Sequence, residues 1–265
     1  MTHPVPPKKA PPKRVLQRAP LKRAMVLAAG EGRRMRPLTE REPKPLIRVL
    51  GTPLIDHILD KLAAAGVAEA VVNLHHLGAR LRAHLAGRTR PRIRFSEETT
   101  LLETGGGVTK ALPLLGEEPF YAVNGDVLWL DDAVPALTRL AVKWAPERMD
   151  ALLLLHPTVT AQGYDGPGDF AMDRQGRLSH RREREVAPFV FAGLQILSPK
   201  VFAGRRAEPY KLLDIYLESA QAGRLYGEQH RGAWFHLGTP ADLHATESIL
   251  TGMGLTGMGF GAKAT

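Results

Sequence analysis

Cysteine is absent from the 265 residues, which excludes disulfides and thiolate metal sites and makes a reducing compartment, the cytoplasm, the expected setting. No apolar run is long enough to span a bilayer, and no signal-peptide core precedes Met25. Aromatics make up only 6% of the chain, and its body holds no basic stripe interleaved with them, so no specific nucleic-acid partner is expected. The Gly-Lys-Ser/Thr tripeptide of an ATPase-type phosphate loop is missing as well. Acids are missing from residues 1–23, where Lys8, Lys9, Lys13, Arg14, Arg18, Lys22 and Arg23 carry most of the formal +9, leaving the remainder near balance. With six prolines in the same stretch, residues 1–22 are expected to form a disordered basic tail.

What is present starts at Met25. A short apolar strand over 25–29 opens into a turn holding Ala29, Gly30 and Gly32, where missing side chains let backbone N–H groups approach an anion closely. Arg33, Arg34 and Arg36 follow, then Lys44 between two prolines, surrounding the turn with donors suited to phosphate oxygens. A dinucleotide fingerprint would need glycine where Met35 stands, and Asp56, at the spacing of its ribose acid, falls inside a helical pattern. The turn therefore reads as a cradle for a nucleoside triphosphate.

Strands and helices alternate from here. The pattern predicts an amphipathic helix from Pro53 to Gly66, a strand over 70–74, a helix over 77–86 and a strand over 93–96. A glycine loop at 105–107, a helix over 108–115 and a buried strand over 120–123 follow. Such alternation implies a mostly parallel sheet with right-handed crossovers. The second half, with a strand at 151–155, a hairpin signal at 173–176, a strand at 189–197 and a helix at 211–222, predicts mixed pairing. Thr239 is placed to cap a last helix over 240–250, with a flexible tail from 251 to 265. One domain over 23–250 is expected.

Asp126 follows the apolar strand 120–123, so it should emerge at the carboxyl edge of the sheet, where open α/β folds bind ligands. A lone carboxylate there suits Mg2+, or else closes the strand as an Asx turn. Glu103, Thr104, Gly105 and Gly106 precede a helix, and their free N–H groups could grip a base, ribose or phosphate. Gly168 and Asp169 lie among turn formers that could shape a pocket wall or a plain surface turn. Asn73, His75 and His76 follow a strand and could line the pocket, the histidines reading better as structural.

With these motifs assembled, residues 24–250 resemble the sugar-1-phosphate nucleotidyltransferases. Within them, Leu102 to Gly107, Val123 to Val127 and Gly168 to Phe170 resemble the N-acetylmuramate 1-phosphate uridylyltransferases. The resemblance implies a Rossmann-like α/β fold with helices on both faces of a mixed, mostly parallel sheet. It implies UTP and a sugar 1-phosphate as substrates, with the protein a monomer or weak homo-oligomer. By it, Ala29, Gly30, Gly32, Arg34, Lys44, Thr104, Gly105 and Gly106 would hold the nucleotide, Arg34 and Lys44 being catalytic. Glu103, Asn124, Gly168 and Asp169 would face the sugar, and Asp126 would bind Mg2+, with Mn2+ as the softer option. The family's second metal carboxylate is replaced by His236, a weaker ligand for a hard cation. Other base and sugar pairs, such as GTP with mannose 1-phosphate, and a noncatalytic nucleotide sensor remain open alternatives.

Overall fold

The computed structural model describes residues 21–256. The tail expected over 1–22 falls, apart from its last two residues, outside the described residues, as do 257–265. In chain order the first half holds β1 (Arg23–Leu27), α1 (Leu38–Arg41), β2 (Arg48–Val49), β3 (Thr52–Pro53), α2 (Leu54–Ala64), β4 (Glu69–Leu74), α3 (Gly78–Leu85), β5 (Arg92–Glu97), α4 (Glu103–Leu115) and β6 (Phe120–Asn124). The second holds β7 (Val127–Trp129), α5 (Ala136–Lys143), β8 (Ala151–Pro157), β9 (Phe170–Met172), β10 (Leu178–His180), β11 (Phe189–Leu197), α6 (Leu212–Gln221), β12 (Leu225–Gln229), β13 (Trp234–His236) and α7 (Pro240–Gly252).

The apolar strand that leads into the glycine turn is the spine of a nine-stranded sheet. Met25 pairs in parallel with Val71 of β4 on one side and Ala122 of β6 on the other, and β5 extends β4 in the same direction. Beyond β6 the pairing turns antiparallel, with Gln195 of β11 beside Ala122, and the hairpin β9–β10 continues past the start of β11. Strand β8 joins β11 antiparallel and carries β12 in parallel. The sheet is mixed with a parallel centre, as its sequence pattern predicts.

Period-two alternation along β1 divides the core. Ala24 and Val26 face a cluster with Ile55, Ile58, Leu59 and Leu62 of α2 and Leu137 and Leu140 of α5. Met25 faces Val108 and Ala111 of α4 and Ile215 of α6. Each fully buried Val, Leu, Ile or Met among them contributes about 1.5–3 kcal/mol. A third cluster joins Met35, Leu54, Leu128, Phe235 and Leu250 beneath the glycine turn, so Met35 anchors the turn from below.

Three boundaries differ from expectation. Strand β1 ends at Leu27 rather than at 29, and the glycines at 105–107 are inside α4 instead of in a loop before it. Tertiary packing overrides their low helix propensity. A Cβ on Gly105 would stand 2.3 Å from the Tyr210 ring, and one on Gly106 would stand 2.0 Å from the Glu208 carbonyl oxygen. The glycines let segment 208–210 lie directly against the helix. At the other end, Thr239 caps α7 in a reciprocal box with Asp242. That helix passes residue 250, and Leu255 packs back onto the third cluster.

Gly106→Ala should therefore lower stability by about 1–3 kcal/mol through overpacking. Gly30, where a Cβ meets nothing within 4 Å, should tolerate alanine within about 0.5 kcal/mol. Urea denaturation of both variants checks this, and equal shifts would contradict the packing argument.

Candidate active site

Strands β4, β1 and β6 run the same way, so the segments that leave them gather at one edge and form a cleft of about 670 Å3. The first segment is the glycine turn. Gly32 sits in the left-handed region at φ 62°, and a Cβ there would press on Thr39 Cγ2 at 2.9 Å and Lys44 Cβ at 3.1 Å. The buried Thr39 hydroxyl donates to the Gly32 carbonyl at 2.9 Å, and Met35 N donates to the same oxygen at 2.8 Å. The turn is thus folded back on the start of the Lys44 side chain. Gly125 brings the β6 edge equally close: its N–H donates to Leu27 O at 2.8 Å, and a Cβ there would stand 2.8 Å from the same oxygen.

The result is an ion pair across 82 residues. Lys44 Nζ donates to Asp126 Oδ2 at 2.6 Å, with the lysine side chain 10% exposed and the aspartate 41% exposed. Arg33 pairs with Glu31, whereas Arg34 meets no acid among the described residues. His236 lies across the β13–β7 ladder from Val127, the residue after Asp126. Burial pushes the His236 pKa down, the positive charges of Arg34 and Lys44 push it further, and Asp126 and Asp242 pull only partly the other way. Its imidazole is therefore neutral at neutral pH.

Ala29, Gly30, Gly32, Arg34, Lys44, Glu103, Thr104, Asn124 and Asp126 all line the cleft, with Asn73 on its floor. Gly105 and Gly106 do not line it. Their amides, expected to be free, donate to the Tyr210 carbonyl at 2.8 and 3.3 Å, which corrects the expectation that they present donors to a ligand. The Thr104 hydroxyl likewise accepts from Leu212 N at 2.9 Å. Gly168 and Asp169 are also outside the lining. Asp169 N donates to Phe189 O at 2.7 Å, its Oδ2 accepts from Phe191 N at 2.8 Å, and the Gly168 carbonyl accepts from Arg181 Nε at 2.9 Å. Asp169 secures the start of β11, and Gly168, whose N–H donates to the Tyr164 hydroxyl at 3.0 Å, is tied to Tyr164 and Arg181, structural tasks away from the cleft where a sugar contact is expected. Sequence reasoning missed Gly125 and Gly238, two glycines close in sequence to Asp126 and His236 that line the cleft themselves.

Among the described residues, no three His, Cys, Asp or Glu side chains come together to hold an ion. Asp126 at the edge of the cleft, with the neutral His236 imidazole nearby, fits a divalent cation that arrives with substrate phosphates and keeps water ligands. Arginine, lysine, backbone amides and carboxylates in a single cleft suit the handling of a polyanion and its counter-cation.

Fold and cleft together define an α/β protein whose cleft opens at the carboxyl edge of its central strands, the edge where open α/β sheets take their ligands. The sequence profile described as nucleotidyl transferase matches residues 23–251, and the chain belongs to that family. Its members generally use a divalent metal. The chain is 42% identical to the N-acetylmuramate alpha-1-phosphate uridylyltransferase of Caulobacter vibrioides over 86% of its own length and 96% of the relative. It is 35% identical to the enzyme of the same name from Neisseria meningitidis, over 86% of this chain and 97% of that one. Mannose-1-phosphate guanyltransferase beta-A of Xenopus laevis is more distant, at 29% identity over 87% of this chain and 63% of that protein. Among solved structures, UDP-glucose pyrophosphorylase complexed with UDP-glucose shares the fold, with a TM-score of 0.69 at 15% identity, covering 88% of this chain and 99% of that one.

Lys44→Ala should lower kcat by about 10²–10³-fold in a pyrophosphate-release assay, the scale of losing one charge-stabilising donor. Asp126 is half-open to solvent, so the variant should still fold. Near-full activity would remove Lys44 from the catalytic machinery.

Proposed function

We propose that the chain transfers a uridylyl group from UTP to N-acetylmuramate 1-phosphate, yielding UDP-N-acetylmuramic acid and pyrophosphate. The observation that carries the transfer chemistry is the nearly buried Lys44 ammonium held over Asp126 at the mouth of the glycine turn. The choice of base and sugar is supported by the 42% and 35% identical uridylyltransferases, each matched over nearly its whole length.

A phosphate oxygen of the sugar phosphate attacks the α-phosphorus of UTP in line, the bond from that phosphorus to the β-bridging oxygen breaks, and pyrophosphate leaves. The attacking oxygen is already anionic at neutral pH, so no general base is needed. Catalysis reduces to alignment and charge neutralisation. Gly30 supports the cradle reading, because the fold leaves open the space its Cβ would fill. Arg34 and the turn amides bind the triphosphate, and Lys44 turns from Asp126 to a phosphate oxygen. A divalent cation, Mg2+ in this reading, would be held by Asp126 with His236 beside it and would neutralise charge growing on the phosphates. Kept neutral, His236 would offer an N–H to a phosphate oxygen without adding positive charge. Among the described residues no helix is long and apolar enough to cross a membrane. The reading describes a cytoplasmic enzyme, monomeric or weakly self-associating, with one catalytic domain over 23–250.

Pyrophosphate release is to be measured with Mg2+, crossing UTP, GTP, CTP and dTTP against N-acetylmuramate, N-acetylglucosamine, glucose and mannose 1-phosphates. UTP with the muramic sugar should exceed every other pair by about tenfold or more in kcat/KM, a difference of about 1.4 kcal/mol. Preference for GTP with mannose 1-phosphate would keep the chemistry and overturn the substrates. Silence in both Mg2+ and Mn2+ would overturn the transfer reading.

A further inference from the structure

Two buried side chains that the transfer chemistry leaves unused tie the two walls of the cleft together. Asn73 is near the end of β4 and Glu98 follows β5, at 3% and 5% exposure. Asn73 Oδ1 accepts from Ala28 N at 2.6 Å, Asn73 Nδ2 donates to Glu98 Oε1 at 2.7 Å, and Glu98 Oε2 accepts from Leu102 N at 2.9 Å. Ala28 opens the glycine turn on one side. Leu102 is the N-cap of α4, whose first residues Glu103 and Thr104 line the other side. Three hydrogen bonds in series therefore cross the floor of the cleft, and each donor in the series meets an acceptor.

The surroundings are shaped to this pair. A Cβ on Gly107 would stand 2.8 Å from Glu98 Oε1 and 2.9 Å from Asn73 Nδ2, so the third glycine of the run makes room for it. The His75 ring holds the Glu98 backbone, its Nδ1 lying 2.9 Å from the Glu98 carbonyl. Leu102 has no cap from its own side chain, and Glu98 supplies one from four residues upstream.

We infer that Asn73 and Glu98 form a buried bracket that sets the distance between the glycine turn and the start of α4, and so positions the nucleotide bound between them. Both are positioning residues, acting through Ala28 and Leu102. The inference rests on the nucleotide-transfer reading above and adds to it the device that holds the cleft at working width.

Polarity reversal tests it. Asn73→Asp alone sets an acceptor against Glu98 Oε1, and Glu98→Gln alone sets a donor against either Asn73 Nδ2 or Leu102 N, so each single variant breaks the series. Together they restore it. The carboxylate introduced at position 73 accepts from Ala28 N and from the amide nitrogen introduced at position 98, and the oxygen of that same amide accepts from Leu102 N.

KM for UTP and kcat are measured by pyrophosphate release well below each variant's Tm, alongside the Tm rise given by UTP with Mg2+. Each single variant should raise KM for UTP about tenfold, the scale of one frustrated buried hydrogen bond, and the double variant should return to within about threefold of wild type. Single variants with lowered Tm but wild-type KM would overturn the bracket, as would a double variant no better than the singles. Glu98→Asp keeps both acceptors but shortens their reach, and it serves if a single reversal does not fold; a wild-type KM there also overturns the proposal. If the wild-type protein releases no pyrophosphate, the transfer reading fails, and the UTP-induced Tm rise still decides whether the bracket shapes the nucleotide site.

Discussion

A nearly buried ammonium must have an anion beside it, and this condition organises the cleft. Removing a lysine from water without compensation costs several kcal/mol, so Lys44, at 8% exposure, is stable only while a negative group stands against it. In the structure that group is Asp126, 2.6 Å away. In the proposed reaction it is a phosphate oxygen. The same constraint accounts for the turn upstream: Gly32 has no side chain because the stem of Lys44 and the methyl of Thr39 fill the space one would take. Charge pairing and backbone conformation are thus coupled within a dozen residues.

The sheet supplies the rest of the geometry. Because β4, β1 and β6 are parallel neighbours, Asn73, Ala28 and Asp126 emerge at one edge although they are far apart in sequence. The apolar cluster around Met35, Leu128 and Phe235 supports that edge from beneath, linking the glycine turn to the short β7–β13 ladder that carries His236. The antiparallel half contributes little to the lining. Its Asp169 holds β11, its Gly168 is tied to Tyr164 and Arg181, and the Tyr210 segment lies against α4.

The parallel centre, the glycine turn, Lys44 and Asp126 were legible because each depends on local chemistry: an apolar strand, a turn that needs glycine, a carboxylate just past a buried strand. The third-glycine test at Met35 also pointed the right way, since that position holds an apolar anchor. What was not legible depends on distant neighbours. Gly105 to Gly107 looked like a loop because propensity cannot register Tyr210 and Glu208 lying against them. The polar groups of Gly168 and Asp169 looked available because nothing local shows that Arg181 and β11 will claim them. The Asn73–Glu98 bond joins residues 25 apart on separate strands, and no spacing rule connects them.

The central claim is that Lys44 exchanges one anion for another when nucleotide enters. A crystal structure with Mg2+ and a nonhydrolysable UTP analogue tests it most directly. The account predicts Lys44 Nζ on a phosphate oxygen and Asp126 turned toward the cation, with the triphosphate on the glycine turn. An intact Lys44–Asp126 pair with the triphosphate bound elsewhere would contradict it.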